Sequence, residues 1–179
     1  MSQTPPFKLE LIALGGVPFV NAGDDLAAIV VEALARTGLT PEPRDVLVVA
    51  QKIVSKAEDR LVRLATIEPS PRAREIAKLV DKDARLVEVI LRESREVLRM
   101  RTGVIVVEDA RGLVLANAGV DASNANADGG EECVLLLPAD PDASAARLRE
   151  ALRARTGVDV GVVVNDSIGR AWRNGTIGT

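Results

Sequence analysis

The sequence predicts an α+β fold of mixed sheets and packed helices. Two observations predict it. Apolar stripes at helical spacing sit between capping signals, as in Leu86, Val87, Ile90 and Leu91. Short β-branched runs such as Val46–Ala50 and Val158–Val164 also occur, but without the steady strand–helix alternation that a doubly wound parallel sheet requires.

The elements follow in order. Phe7 to Leu14 alternates loosely and predicts a strand, then Gly15-Gly16-Val17-Pro18 a turn. Asp24 is a good N-cap for a helix running to Arg36, which Gly38 ends. Val46–Ala50 is a short buried strand leading directly into Gln51-Lys52-Ile53-Val54-Ser55-Lys56. Ser70-Pro71 caps a second helix with proline at its first position. The stripe from Leu86 to Leu98 predicts a third helix over Asp83 to Arg99. Val104–Val107 and Leu113–Ala116 form a hairpin around a glycine-containing loop. Asn117 to Glu132 is a long polar loop, and the apolar run Leu135-Leu136-Leu137 ends at Pro138. Asp142 caps a helix to Arg155 that Gly157 closes, and Val158–Val164 is a strand ending in Asn165-Asp166-Ser167. Gly169 to Thr179 lacks an apolar period.

With 179 residues the chain has the size of an ordinary domain, read here as one unit over 1–179. Aromatic residues are only 2%, so Val, Leu, Ile and Ala build the core, and a base-stacking nucleic-acid platform is not expected. The net charge of −3 gives no field favouring DNA or an anionic membrane. With no His, neither a His-activated nucleophile nor a His-ligated zinc is available. Cys133 stands alone, so a thiolate zinc cluster is excluded too. Any metal is expected on oxygen ligands, which points to Mg2+ or Mn2+. No targeting segment and no apolar run near the roughly 20 residues of a membrane helix occurs, so a cytoplasmic protein is expected.

Three stretches carry candidate chemistry. In Asn117-Ala118-Gly119-Val120-Asp121-Ala122-Ser123-Asn124, Asp121 could hold a hard cation and Asn124 a polar ligand, with Gly119 letting backbone approach closely. The plainer reading is a loop whose side chains satisfy their own backbone. In Val160–Ser167, an apolar strand delivers the Asp166 carboxylate to a sheet edge with the Ser167 hydroxyl beside it, a placement common among metal-holding acids; the plainer role is a cap on the next turn. If Asp121 and Asp166 converge, a repulsion of roughly 3 kcal/mol at about 5 Å and an effective dielectric near 20 is relieved by a divalent cation or, alternatively, by a shared proton with one raised pKa. Lys52 and Lys56, four apart, share a face if helical and could neutralise phosphates, or could simply be solvated. Gly15-Gly16-Val17-Pro18 could offer amides to an anion, and Arg170 and Arg173 could clamp one, but no GxxxxGK[ST] P-loop occurs.

At these motifs the sequence resembles the coenzyme F420-0:L-glutamate ligase family, also called F420-0:gamma-glutamyl ligases. The matching stretches run in family order: Gly16-Val17-Pro18 with Gly23-Asp24-Asp25-Leu26, Val46-Leu47-Val48-Val49 with Ile53-Val54-Ser55-Lys56-Ala57-Glu58, Ala116 through Asn124, Leu135-Leu136-Leu137-Pro138 with Asp140-Pro141-Asp142, and Asp166-Ser167 through Trp172-Arg173-Asn174-Gly175. The resemblance implies a GTP-dependent ligase that joins L-glutamate to the phospholactyl carboxylate of F420-0 through an acyl phosphate, then adds gamma-linked glutamates. It places one cation on Asp121 and Asp166 and a second on Ser167, as Mg2+ or Mn2+, with K+ as a further candidate ion. It places GTP contacts on Gly16, Val17, Pro18, Phe19, Gln51, Lys52, Lys56 and Asn124. Gln51 and Lys52 depart from the small hydroxyl residues frequent at those positions. It implies an intertwined homodimer, with neither nucleic acid nor membrane as partner. Members of the family continue roughly half a domain past the Trp172–Gly175 loop, a part that carries further GTP contacts and another ligand for the second cation. The competing expectation is a non-catalytic nucleotide- or deazaflavin-binding or dimerisation domain.

Overall fold

The computed structural model describes residues 9–122, 132–169 and 176–178. In order, they form α1 (Leu26–Thr37), β1 (Val46–Ala50), α2 (Gln51–Ala57), β2 (Leu61–Arg63), α3 (Pro71–Val80), α4 (Ala84–Arg92), β3 (Ser94–Arg101), β4 (Val104–Asp109), β5 (Val114–Ala116), β6 (Cys133–Leu135), α5 (Pro141–Thr156), β7 (Gly161–Asn165), β8 (Ser167–Gly169) and β9 (Thr176–Gly178). Short 3-10 turns follow at Leu64–Thr66 and Asn117–Gly119. β1 pairs with β7 in parallel, while β2–β6, β3–β4–β5 and β8–β9 are antiparallel. The α+β expectation holds, with parallel and antiparallel pairings in separate small sheets.

Two larger apolar clusters and one smaller one hold these pieces. α3 and α4 lay Ala73, Ile76, Ala77, Val80, Val87 and Ile90 on Ile105 and Val107 of β4 and on Ala118. α1 and α5 cover one face of the β1–β7 pair through Ala27, Val49, Val54, Leu148, Leu152 and Val160. Leu64, Val89, Val134 and Leu136 form the third, beneath β2 and β6. Fully burying one such side chain contributes about 1.5–3 kcal/mol.

Several boundaries differ from expectation, each for a physical reason. Asp25, not Asp24, caps α1 by accepting the Ala28 amide at 3.0 Å. Asp24 instead accepts the Asn21 amide at 2.7 Å and tightens the preceding turn. Asp140, not Asp142, caps α5, because Pro141 has no N–H and fits the first helical position, which puts the cap before it. Ser70, Pro71, Gly38 and Gly157 take the capping roles read from the sequence. The third helix stops at Arg92 rather than Arg99. Ser94 Oγ donates to the Ile90 carbonyl at 2.5 Å, and from Ser94 onward the backbone pairs with β4, so sheet pairing overrides the helical spacing of Val97 and Leu98. Leu9–Leu14 forms no strand: Leu9 and Leu11 are exposed and lie outside every sheet among the described residues. The last strand of the expected set begins at Gly161, where β1 first offers a partner in Val46. β8 and β9 pair across a stretch where the sequence suggests no element.

The β4–β5 turn is organised by a buried carboxylate. Asp109 is 4% exposed. Its Oδ1 accepts the amides of Arg111 and Leu113, both at 2.9 Å, and its Oδ2 accepts Nε and Nη2 of Arg111 at 2.8 and 2.7 Å. Burial alone would raise the Asp109 pKa; the Leu113 amide and the Arg111 guanidinium outweigh it and hold the carboxyl below its usual 3.8. A depressed carboxyl pKa contributes stability above the unfolded value that is lost as pH falls through the folded value. Asp109→Asn should therefore destabilise the fold by about 2 kcal/mol near neutral pH. In urea titrations the gap between variant and parent should narrow as pH drops below 3.8. A gap independent of pH would show that the carboxylate charge contributes nothing to the turn.

Candidate active site

The parallel pairing of β1 and β7 builds the floor. Its register sets Ala50 opposite Asn165, so the chain leaves both strands at one edge, with Gln51 and Asp166 as the next residues. Crevices beyond the carboxyl ends of parallel strands are where α/β sheets bind ligands. Asp121 arrives from the opposite wall. Its amide donates to the Leu135 carbonyl at 2.9 Å and its carbonyl accepts the Leu135 amide at 2.8 Å, which pins it to β6. Lys52, in the first turn of α2, forms an ion pair with Asp121 at 2.5 Å across the gap.

A hollow of about 380 Å³ results, lined by Ala50, Gln51, Lys52, Leu115, Ala116, Gly119, Val120, Asp121, Asp166 and Ser167. The two aspartates, the serine hydroxyl and one lysine of the sequence-derived set therefore open into one space. The Ser167 amide donates to Asp166 Oδ1 at 2.8 Å, fixing that carboxylate at the strand end. Among the described residues no group of three or more His, Cys, Asp or Glu side chains is placed to hold a metal. Two carboxylates and a hydroxyl are nevertheless hard donors of the type Mg2+ uses when phosphate oxygens complete its shell.

Of the remaining sequence-derived residues, only Gln51 among those described reaches the hollow. Gln51 lines the hollow but is 8% exposed, and its Nε2 donates to Ser55 Oγ at 2.6 Å and toward the Leu136 carbonyl at 3.4 Å. Its amide thus braces α2 against the chain after β6. Lys56 lies one turn beyond Lys52 and outside the lining. Gly16, Val17, Pro18 and Phe19 also lie outside it: the Gly16 carbonyl accepts Arg36 Nη1 at 2.6 Å beside α1, and Phe19 is exposed. Asn124, Arg170, Trp172 and Arg173 lie outside the described residues.

The loop that delivers Asp121 is strained. Asn117, Ala118 and Gly119 have φ of 51°, 54° and 68°, consecutive left-handed residues. For a non-glycine residue this costs roughly 1–3 kcal/mol, least for Asn. Asn117 Oδ1 accepts the Ile105 amide at 3.1 Å, and Ala118 is buried in the α3–α4 cluster, so packing and a hydrogen bond hold the turn. Asn117 therefore serves the fold, though through β4 and not through the loop's own backbone. Gly119 is required for a reason other than ligand approach. A Cβ there would meet Leu137 Cδ1 at 2.5 Å.

A second hollow of about 680 Å³ adjoins the first, sharing Gln51, Leu115 and Asp166. Arg111, Leu113, Leu137, Pro138 and Val162–Val164 extend its wall, with Asp140 and Asp142 at its α5 side. Arg111, on this wall, is not among the sequence-derived candidates. The available signal was an acid closing a strand two residues before an arginine and three before Gly112, a turn that holds the arginine in place.

Residues 16–179 match the family model described as F420-0:Gamma-glutamyl ligase. The chain belongs to this family. It is 44% identical over 178 residues to the Coenzyme F420:L-glutamate ligase of Methanopyrus kandleri, covering 99% of this chain and 66% of that protein. It is 42% identical over 170 residues to the enzyme of that name from Methanothermobacter thermautotrophicus, covering 95% of the chain and 66% of the relative. Against that of Archaeoglobus fulgidus it is 40% identical over 171 residues, covering 96% and 65%. The chain thus spans just under two thirds of the length of these relatives. The family expectation from the sequence motifs is met. Among the described residues no helix is long and apolar enough to cross a membrane.

Gly119→Ala should lower stability by about 2–4 kcal/mol, combining left-handed strain with the Leu137 clash. Gly103→Ala, at φ +82° with open space around it, should show the strain alone. Equal losses in denaturant melts of the two variants would dismiss the clash.

Proposed function

We propose that this chain carries the nucleotide- and metal-binding part of a GTP-dependent ligase of coenzyme F420 biosynthesis. The carrying observation is the hollow shared by Asp121, Asp166, Ser167 and Lys52 in a member of this family. The reaction joins the amine of L-glutamate to the phospholactyl carboxylate of F420-0, and later glutamates through gamma links. An amine and a carboxylate in neutral water exchange a proton and do not condense, so the acid needs a leaving group. Transfer of the GTP γ-phosphoryl group to the carboxylate gives an acyl phosphate and GDP. The glutamate amine then attacks the acyl carbon, expels phosphate and loses a proton.

Phosphoryl transfer depends mostly on positioning and charge neutralisation. Asp121, Asp166 and Ser167 would hold Mg2+ or Mn2+, whose chemistry is to offset the charge of the phosphate oxygens. Lys52 supplies a further positive charge at the same wall, and Lys56 lies one turn away on α2 for longer-range attraction. Gly16–Phe19 and Asn124 complete the nucleotide contacts in this reading, which rests for them on family likeness. The functional unit is a homodimer in the same reading.

With GTP and Mn2+ near 100 times their dissociation constant, binding stabilises by about 2.7 kcal/mol. For a chain of this size that raises Tm by roughly 5–10 °C. Asp121→Ala and Asp166→Ala should each remove the metal-dependent part of the rise; a full rise in either variant refutes the metal assignment. Mass analysis of F420-0 incubated with L-glutamate, GTP and Mn2+ tests the reaction itself in the protein at the relatives' full length.

Lys52 makes a sharper test, since its ammonium competes with a metal for Asp121. An exposed ion pair of this kind contributes up to about 1 kcal/mol, a factor of roughly 5. Lys52→Met should therefore tighten Mn2+ binding about 5-fold without nucleotide while weakening GTP binding. Parallel loss of both would place Lys52 outside the metal's competition.

A further inference from the structure

The larger hollow has a different electrostatic character from the smaller one. Its lining holds a single cationic side chain among the described residues, Arg111. The neighbouring walls are apolar, from Leu113, Leu115, Leu137, Val162 and Val164. Asp109 fixes the arginine. One carboxylate oxygen takes two turn amides and the other takes Nε and Nη2, so the guanidinium is set before any ligand arrives. A buried acid with this fourfold hydrogen bonding sits at the end of β4, whose Ile105 and Val107 are fully buried. The β4–β5 turn has no need of an arginine to close, because the Gly112 amide already donates to the Asp109 carbonyl at 3.0 Å and the Asp109 amide to the Leu113 carbonyl at 2.9 Å. The arginine's added effect is to place a fixed, planar, positive group on the wall of a space that leads to the Asp121–Asp166 hollow.

We propose that Arg111 is a substrate-positioning residue that binds the carboxylate of an acidic small-molecule substrate in this second hollow. The guanidinium plane suits a carboxylate through charge-assisted hydrogen bonds. Asp140, Asp142 and Asp166 on the same walls disfavour an anion elsewhere in the hollow, so an acid is held only against the Arg111 guanidinium. The shared lining of Gln51, Leu115 and Asp166 sets that acid beside the space assigned above to the phosphates. Identifying the ligand as a ligase substrate rests on the preceding reading; the carboxylate contact itself does not. The same chemistry is offered by L-glutamate, the amine donor, and by F420-0, the acceptor.

The test is equilibrium binding by calorimetry on the 179-residue chain, with L-glutamate, F420-0 and GTP–Mn2+ titrated separately into the parent, Arg111→Lys and Arg111→Gln. Arg111→Lys keeps a positive charge beside buried Asp109 and guards against loss of fold, checked by thermal melt. Affinity for at least one of the two acids should fall about 10-fold or more in Arg111→Gln and by less in Arg111→Lys, with GTP–Mn2+ binding unchanged. Which acid responds identifies the source. Unchanged affinity for both acids in a folded Arg111→Gln overturns the proposal, as does a parent that binds neither acid, or a loss confined to GTP–Mn2+. A parent that binds an acid through Arg111 but ignores GTP–Mn2+ upholds the arginine's role and defeats the nucleotide reading instead.

Discussion

The parallel pairing of β1 with β7 is the constraint on which the site depends. Two strands more than a hundred residues apart run side by side, and their register puts Ala50 against Asn165. A slip of one residue in such a pair would turn each side chain to the opposite face. Val49 would then leave the core that Leu148, Leu152 and Val160 complete, so apolar packing fixes the register. That register in turn decides that Gln51 and Asp166 emerge together. The chemistry of the hollow is inherited from a packing decision made on the other side of the sheet.

Asp121 needs an independent support, since it is not part of that pair. The antiparallel bridge to Leu135 attaches it to β6, and the left-handed turn at Asn117–Gly119 aims the chain there from β5. The turn is unfavourable alone. It persists because the Ile105 amide, the α3–α4 cluster and Leu137 each meet one of its residues. None of the three supports belongs to the apolar cluster beneath the β1–β7 pair. The hollow is therefore a joint between separately packed regions, and a small shift of either moves Asp121 relative to Asp166. The Lys52–Asp121 ion pair spans that joint.

What was legible in the sequence follows from what is local. Helices with strong caps, at Ser70-Pro71 or before Gly38 and Gly157, stand where their signals put them, because a cap is decided within one turn. Competing acids one or two residues apart were not separable. Asp24 and Asp25 present the same oxygen, and which one caps depends on the Asn21 turn. The run through Val97 and Leu98 carries helical spacing, yet β4 claims that backbone. β8 and β9 were hidden for another reason: each is three residues long, Ser167-Ile168-Gly169 against Thr176-Ile177-Gly178, with no apolar run to mark a strand. For the site, residue types named Asp121, Asp166, Ser167 and Lys52 as candidates, and the β1–β7 register together with the Asp121–Leu135 bridge brings them to one hollow. Gln51 differs from these: its position lines the space while its side chain is hydrogen-bonded to Ser55.

The charge inventory of the two hollows bears on why a chain without histidine would suit the proposed phosphoryl transfer. No group near neutrality is needed to shuttle a proton during phosphoryl transfer, where positive charge at the oxygens matters most. The first hollow collects carboxylates, which attract a hard cation but repel a bare phosphate. Lys52 already stands at one of those carboxylates, so the protein itself supplies positive charge there. The second hollow repeats the theme with the roles reversed: a cation fixed by a buried acid, on a wall otherwise apolar or acidic. In both places a lysine or arginine is held by an aspartate before any ligand binds. Coulomb pairing holds each cation with one acid, and it leaves the more exposed pair easier to displace than the buried one. Asp121 is 30% exposed in its pair and Asp109 only 6%. Water screens the first pair and weakens it. The contrast fits an exchangeable cation at Asp121 and a permanent one at Arg111.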